Sequence, residues 1–197
     1  MRDITQNEMN VLLTLFKDFD TGYNANSLSK KIGLTSMGAL KILKNLEKEG
    51  LLKSTQLGKA VFYKLNFSKY TKAYLNFLLQ KEAEQSLPRI KRWVKELRRF
   101  QKTANIGVLF GSVLKKETFK DIDLLLVLEQ SQIRDVNKLV AELNKVNIKK
   151  LHLVKQAKKD LESNLKKKDK VILSIVKNGI VLFGYDELIG VIENVSL

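Results

Sequence analysis

The chain contains no cysteine, a single histidine (His152) and a single proline (Pro88) among its 197 residues. Without cysteine there are no disulfides and no thiolate metal sites, which fits a reducing compartment. One histidine excludes multi-histidine metal sites and makes a histidine-dependent catalytic dyad a poor candidate. No run approaches the roughly 18 apolar residues that a membrane span needs. The start MRDITQNEMN has no apolar core behind its Arg, so no secretory leader is expected and the cytoplasm is the expected location. Gly/Ser/Pro-rich linkers and internal repeats are also missing, so a flexible tether is not expected.

Acidic residues are in short supply as well. There are 36 Lys/Arg against 21 Asp/Glu, a formal net charge of +15. Such a balance bears on partners rather than on fold, and the commonest polyanion for a basic protein is nucleic acid. The charge is uneven. Residues 1–66 hold ten Lys/Arg and six Asp/Glu, residues 67–102 ten and three, and residues 103–197 sixteen and twelve. These three segments are the expected organisation: a first domain, a basic helical segment, and a last, α/β domain. At 44% hydrophobic content the chain can bury a sizeable core.

In the first segment, Thr5 followed by Glu8 has the pattern of a capping box, and Met9, Leu12, Leu13 and Phe16 follow at helical spacing. A second short helix is expected from Asn26 to Gly33. Thr35 should cap a third that ends at Gly50 and buries Ala39, Ile42 or Leu43, and Leu46. The runs LLKST and VFYKLN, separated by QLGK, read as a β-hairpin. Three helices and a hairpin in this order form the winged helix-turn-helix plan. LSKKIGLTSMGALKILKNLEKEGLL resembles the second and third helices of winged helix regulators of the MarR and ArsR kind. A major-groove helix carries short polar and cationic side chains on its exposed face. Ser36, Met37, Lys41, Lys44 and Asn45 are the candidates there, with Lys30 and Lys31 on the second helix and Lys59 at the hairpin tip as phosphate contacts. The alternative is a winged helix used for protein contact.

In the middle segment Tyr70, Tyr74, Phe77 and Leu78, then Leu87, Ile90, Trp93, Val94 and Leu97, recur at helical spacing around Pro88, which predicts two helices or one kinked helix. Dimerisation and packing against a domain are both open for that stripe. Arg89, Lys91, Arg92, Lys95, Arg98 and Arg99 must in part face solvent or a polyanion.

In the last segment a buried-type strand, IGVLF, ends at Gly111-Ser112, and Asp121-Ile122-Asp123 opens a second strand, DLLLVLE. Aspartates two apart on a strand point to one face. Two such carboxylates make a hard-oxygen site for Mg²⁺, and a glycine lets backbone approach a phosphate. FGS followed by DIDLLLV resembles the nucleotidyltransferase superfamily that contains DNA polymerase β and the minimal nucleotidyltransferases, over about residues 103–185. That resemblance implies a small mixed sheet, with Gly111 and Ser112 holding an NTP triphosphate. It implies Asp121 and Asp123 as catalytic residues that bind two metal ions. Catalytic members usually supply a third carboxylate from a later strand. The matching strand, IKKLHLVKQ, has none, and His152 or Lys150 stands in its place. The spacer between Ser112 and Asp121 is eight residues, which is short.

The expected function is a DNA-binding transcriptional regulator, acting as a homodimer, with a weak or inactive nucleotidyltransferase-like domain. The alternatives are an active Mg²⁺-dependent transferase of NMP from an NTP, and an antitoxin-like protein with a small protein partner. The remaining elements read as a helix (IRDVNKLVAELNKV), a strand, a helix (LKKKDKVILSIVKNG), the strand IVLFG and a closing helix, with Lys166–Lys168 as a solvated helix start.

Overall fold

The computed structural model describes residues 4–196, so residues 1–3 of the expected non-secretory start and Leu197 lie outside the described residues. The chain is mixed α/β, with helices and two small sheets. It divides into two compact units within one helix, α4 (Lys69–Glu84), at residues 78 and 79. No helix of the described residues is long and apolar enough to cross a membrane.

The first unit runs α1 (Gln6–Lys17), β1 (Tyr23–Asn24), α2 (Ala25–Ile32), α3 (Ser36–Lys48), β2 (Leu52–Leu57) and β3 (Ala60–Leu65). The Thr5–Glu8 capping box forms, and Thr35 caps α3 by accepting from the Gly38 N–H. The cap of α2 is Asn24, two residues before the expected start, because its side chain accepts from Ser27 N–H while Ser27 reaches back to the Asn24 backbone. β2 and β3 are joined by Gly58-Lys59 alone, with Leu57 opposite Ala60. β1 pairs antiparallel with β3 on its other side, giving the order β1-β3-β2. Met9, Leu12 and Phe16 of α1, Leu28 of α2 and Ala39, Leu43 and Leu46 of α3 are fully or nearly fully buried. At about 1.5–3 kcal/mol for each large apolar side chain, their burial is what holds three short helices together.

The middle of the sequence is helical on both sides of Pro88, which stands at the first position of α5 (Pro88–Leu97), where a missing N–H costs nothing. Ile90, Trp93, Val94 and Leu97 of α5 are buried and join the core of the second unit, so this apolar stripe packs within that unit. The stripe on α4 differs from expectation. Tyr74, Leu75, Leu78 and Leu79 are buried, whereas Tyr70 and Phe77 are exposed.

After a 3-10 stretch (Arg98–Lys102), the second unit continues through β4 (Ile106–Phe110), α6 (Ser112–Lys115), β5 (Asp121–Val127), α7 (Ile133–Val146), β6 (Lys150–Gln156), α8 (Lys158–Lys166), α9 (Lys170–Asn178), β7 (Ile180–Phe183) and α10 (Tyr185–Ser196). The sheet order is β6-β5-β4-β7, with β4 antiparallel to both β5 and β7 and β5 parallel to β6. β4 and β5 are central, and Leu124, Leu125, Leu126 and Val127 are buried on both faces, as a covered strand requires. The expected helix LKKKDKVILSIVKNG is instead broken between α8 and α9. Lys168 takes a left-handed conformation (φ 57°), and Asp169 caps α9 by accepting from the Val171 and Ile172 N–H groups. Lys166–Lys168 therefore lie at the end of α8 and in the link, all exposed. Cations are favourable at a helix C-terminus.

Candidate functional site

The sheet topology of the second unit brings three chain-distant segments to one end. β4 ends where antiparallel β5 begins, with Phe110 opposite Asp123. β6 starts alongside, with Lys150 opposite Asp121 and His152 opposite Asp123. Gly111 follows β4 with φ 84°, outside the range that side-chain-bearing residues adopt comfortably. A Cβ built on Gly111 would overlap the Asp123 carboxylate, so this glycine is the contact surface over which that carboxylate lies. Ser112, half-buried, opens the one-turn α6.

Asp121 and Asp123 share a face of β5, their side chains 40% and 29% exposed. Both ring nitrogens of His152 stand near them: Nε2 is 3.9 Å from Asp121 Oδ1 and Nδ1 is 3.9 Å from Asp123 Oδ1. These distances are too long for hydrogen bonds. Lys150 is turned elsewhere, its ammonium donating to the Asn144 carbonyl at 2.6 Å. Of the two residues expected in place of the third acid, His152 is the one at the carboxylate pair.

Burial pushes the Asp123 carboxyl up; His152 pulls it down and Asp121 pushes it up again. Folded-state affinity for the proton therefore exceeds that of the unfolded chain. Stability from this group is complete below the ordinary carboxylate range and falls as pH rises through the raised value. Asp123→Asn should accordingly raise the thermal midpoint at neutral pH in EDTA, with the gain shrinking as pH falls through the raised value and gone below about 4. A variant less stable than wild type at neutral pH would contradict this reading of the carboxylate's surroundings.

The nucleotidyltransferase resemblance implies Mg²⁺, and the donors here can be weighed against it. Two carboxylates on one strand face suit one hard cation that keeps waters and takes phosphate oxygens. A second ion lacks its oxygen donor, because an imidazole occupies that place, and nitrogen ligands suit Mg²⁺ poorly. Among the described residues no group of three or more His, Asp or Glu side chains is arranged to hold a metal. The residues fit one ion and not two.

The candidate DNA-contact residues lie in the first unit. Ser36, Met37, Lys41, Lys44 and Asn45 of α3 are all exposed, as are Lys30, Lys31 and, in the hairpin turn, Lys59. Met37, at 75%, is the most exposed of the large apolar side chains among the described residues of the first unit. Two of the set are already engaged. Lys31 Nζ is 3.8 Å from Asp18 Oδ2. The Ser36 hydroxyl lies 3.2 Å from Asn26 Oδ1, to which it donates, and 3.2 Å from Ser29 Oγ, tying α3 to α2. Asn26 was not among the sequence candidates, because its role depends on the approach of two helices. Comparison of the chain with protein-family models, with curated proteins and with solved structures finds no match.

Proposed function

We propose that this chain is a DNA-binding transcriptional regulator whose first unit is a winged helix module and whose second unit is a nucleotidyltransferase-like domain. One observation carries the proposal. α3 buries Ala39, Leu43 and Leu46 while leaving Ser36, Met37, Lys41, Lys44 and Asn45 exposed, in a unit ordered helix, strand, two helices and hairpin. That face suits insertion into a major groove, with the thymine methyl or a base edge as the partner of Met37 and Asn45 and phosphates as partners of the lysines. Lys59 at the two-residue turn is suited to the neighbouring backbone. A homodimer would match two half-sites about 34–36 Å apart. The proposal fails if the purified protein has no affinity for duplex DNA at low salt.

In the second unit, Asp121 and Asp123 would hold one Mg²⁺, with Gly111 and Ser112 against the triphosphate of an NTP. The ion would supply charge neutralisation of the phosphates. His152 in the place of an acid favours nucleotide binding with little or no transfer. The intact Gly111-Ser112 and Asp121/Asp123 set favours the second reading, an enzyme that transfers NMP to an acceptor. A calorimetric titration of NTP in Mg²⁺ tests the site without knowledge of that acceptor. Wild type is expected to bind and Asp121→Asn/Asp123→Asn to lose at least about tenfold in affinity. Equal binding by both would remove the carboxylates from the site.

A further inference from the structure

The second unit has a basic cleft at the end of its sheet opposite Asp121 and Asp123. The Asn105 N–H donates to the Val127 carbonyl at 2.8 Å, so the Arg98–Lys102 stretch leads into the sheet where β4 begins and β5 ends. Arg98, Arg99, Gln101, Lys102 and Thr103, with Leu139 of α7, line an open cleft of about 640 Å³. That is within the range of roughly 300–1,000 Å³ typical of small-molecule sites.

The cations in this cleft are not needed for the core, because Trp93, Leu97 and Phe100 already bury the apolar side of the segment. Arg98 is oriented by a relay: its Nη2 donates to the Tyr185 hydroxyl at 3.5 Å, and that hydroxyl donates to the Leu182 carbonyl at 2.8 Å. Arg99 meets Glu142 at 3.8 Å with both side chains about half exposed, a pair worth little in water and replaceable by a stronger anion. Lys102 has no ion pair among the described residues. Guanidinium forks match phosphate oxygens, and their planar faces stack on aromatic rings.

We propose that this cleft binds a nucleotide-sized phosphorylated ligand, its phosphate on Arg99 and Lys102 and its base against Leu139 and the guanidinium faces. The site needs no metal and does not rest on the carboxylate pair, so the two can fail separately.

The test is calorimetric titration of AMP, ATP and inorganic phosphate in EDTA into the full chain carrying Asp121→Asn/Asp123→Asn. The same titrations are run after adding Arg99→Gln/Lys102→Gln. AMP or ATP should bind saturably and weaken at least about tenfold on the second pair of substitutions, with duplex DNA affinity unchanged within about twofold. Inorganic phosphate should bind at least about tenfold more weakly than AMP. No saturable nucleotide binding, equal binding before and after the change, or phosphate as tight as AMP would overturn the proposal. So would a loss of duplex affinity without an effect on nucleotide, which would assign the cleft to the DNA footprint.

Discussion

Gly111→Ala is expected to abolish NTP binding in Mg²⁺ and to destabilise the protein by about 2–4 kcal/mol. Two costs add. A Cβ at φ 84° and ψ −154°, a conformation essentially confined to glycine, costs about 1–3 kcal/mol by itself. The new methyl then overlaps the Asp123 carboxylate, which must swing off its rotamer. Asp123 cannot retreat far, because its strand is held on one side by β4 and on the other by β6. The double variant Gly111→Ala/Asp123→Ala separates the two costs, since it removes the overlap and leaves the backbone strain. It should recover part of the stability lost by Gly111→Ala while binding remains absent. Asp123→Ala alone is the reference, because it also removes a partly buried carboxylate; a Gly111→Ala cost equally large with and without Asp123→Ala would show that the carboxylate and this glycine are not in contact.

Lys41→Glu/Lys44→Glu should weaken duplex DNA binding on the order of 10²-fold or more at low salt. Each substitution removes a counterion-releasing contact and adds a charge that the phosphates repel. Both lysines are exposed and lie off the buried stripe of α3, so unfolding free energy should change by less than about 0.5 kcal/mol. That contrast in size is the signature of an interface residue. Unchanged DNA affinity would remove this face of α3 from the interface.

Local signals were legible where one short stretch contains both partners of an interaction. Thr5 with Glu8, Thr35 with the start of α3, and the same-face parity of Asp121 and Asp123 all fall within a few residues. Signals failed where spacing allows two answers. On α4, Tyr70 and Phe77 fit a helical stripe as well as Leu75 and Leu79, and only the packed neighbours select the leucines. The break before α9 was hidden in a lysine run, because the deciding group is the Asp169 side chain rather than the run. The candidate site was half readable. Gly111, Ser112, Asp121 and Asp123 follow from motif spacing, but placing His152 rather than Lys150 at the carboxylates required the β5–β6 pairing together with the turn of Lys150 toward the Asn144 carbonyl. The cleft beside Leu139 had no local signal, since that leucine comes from a helix nearly forty residues further along the chain.

The salt dependence of duplex DNA binding tests the central claim most directly. Fluorescence anisotropy across a series of salt concentrations gives log K against log salt for wild type and for Lys41→Gln/Lys44→Gln/Lys59→Gln. Binding through a phosphate-tracking face predicts a steep line for wild type and a slope shallower by about 2–3 in the variant, close to one for each lysine removed. No salt-dependent binding by wild type, or the same slope in both proteins, would contradict the account.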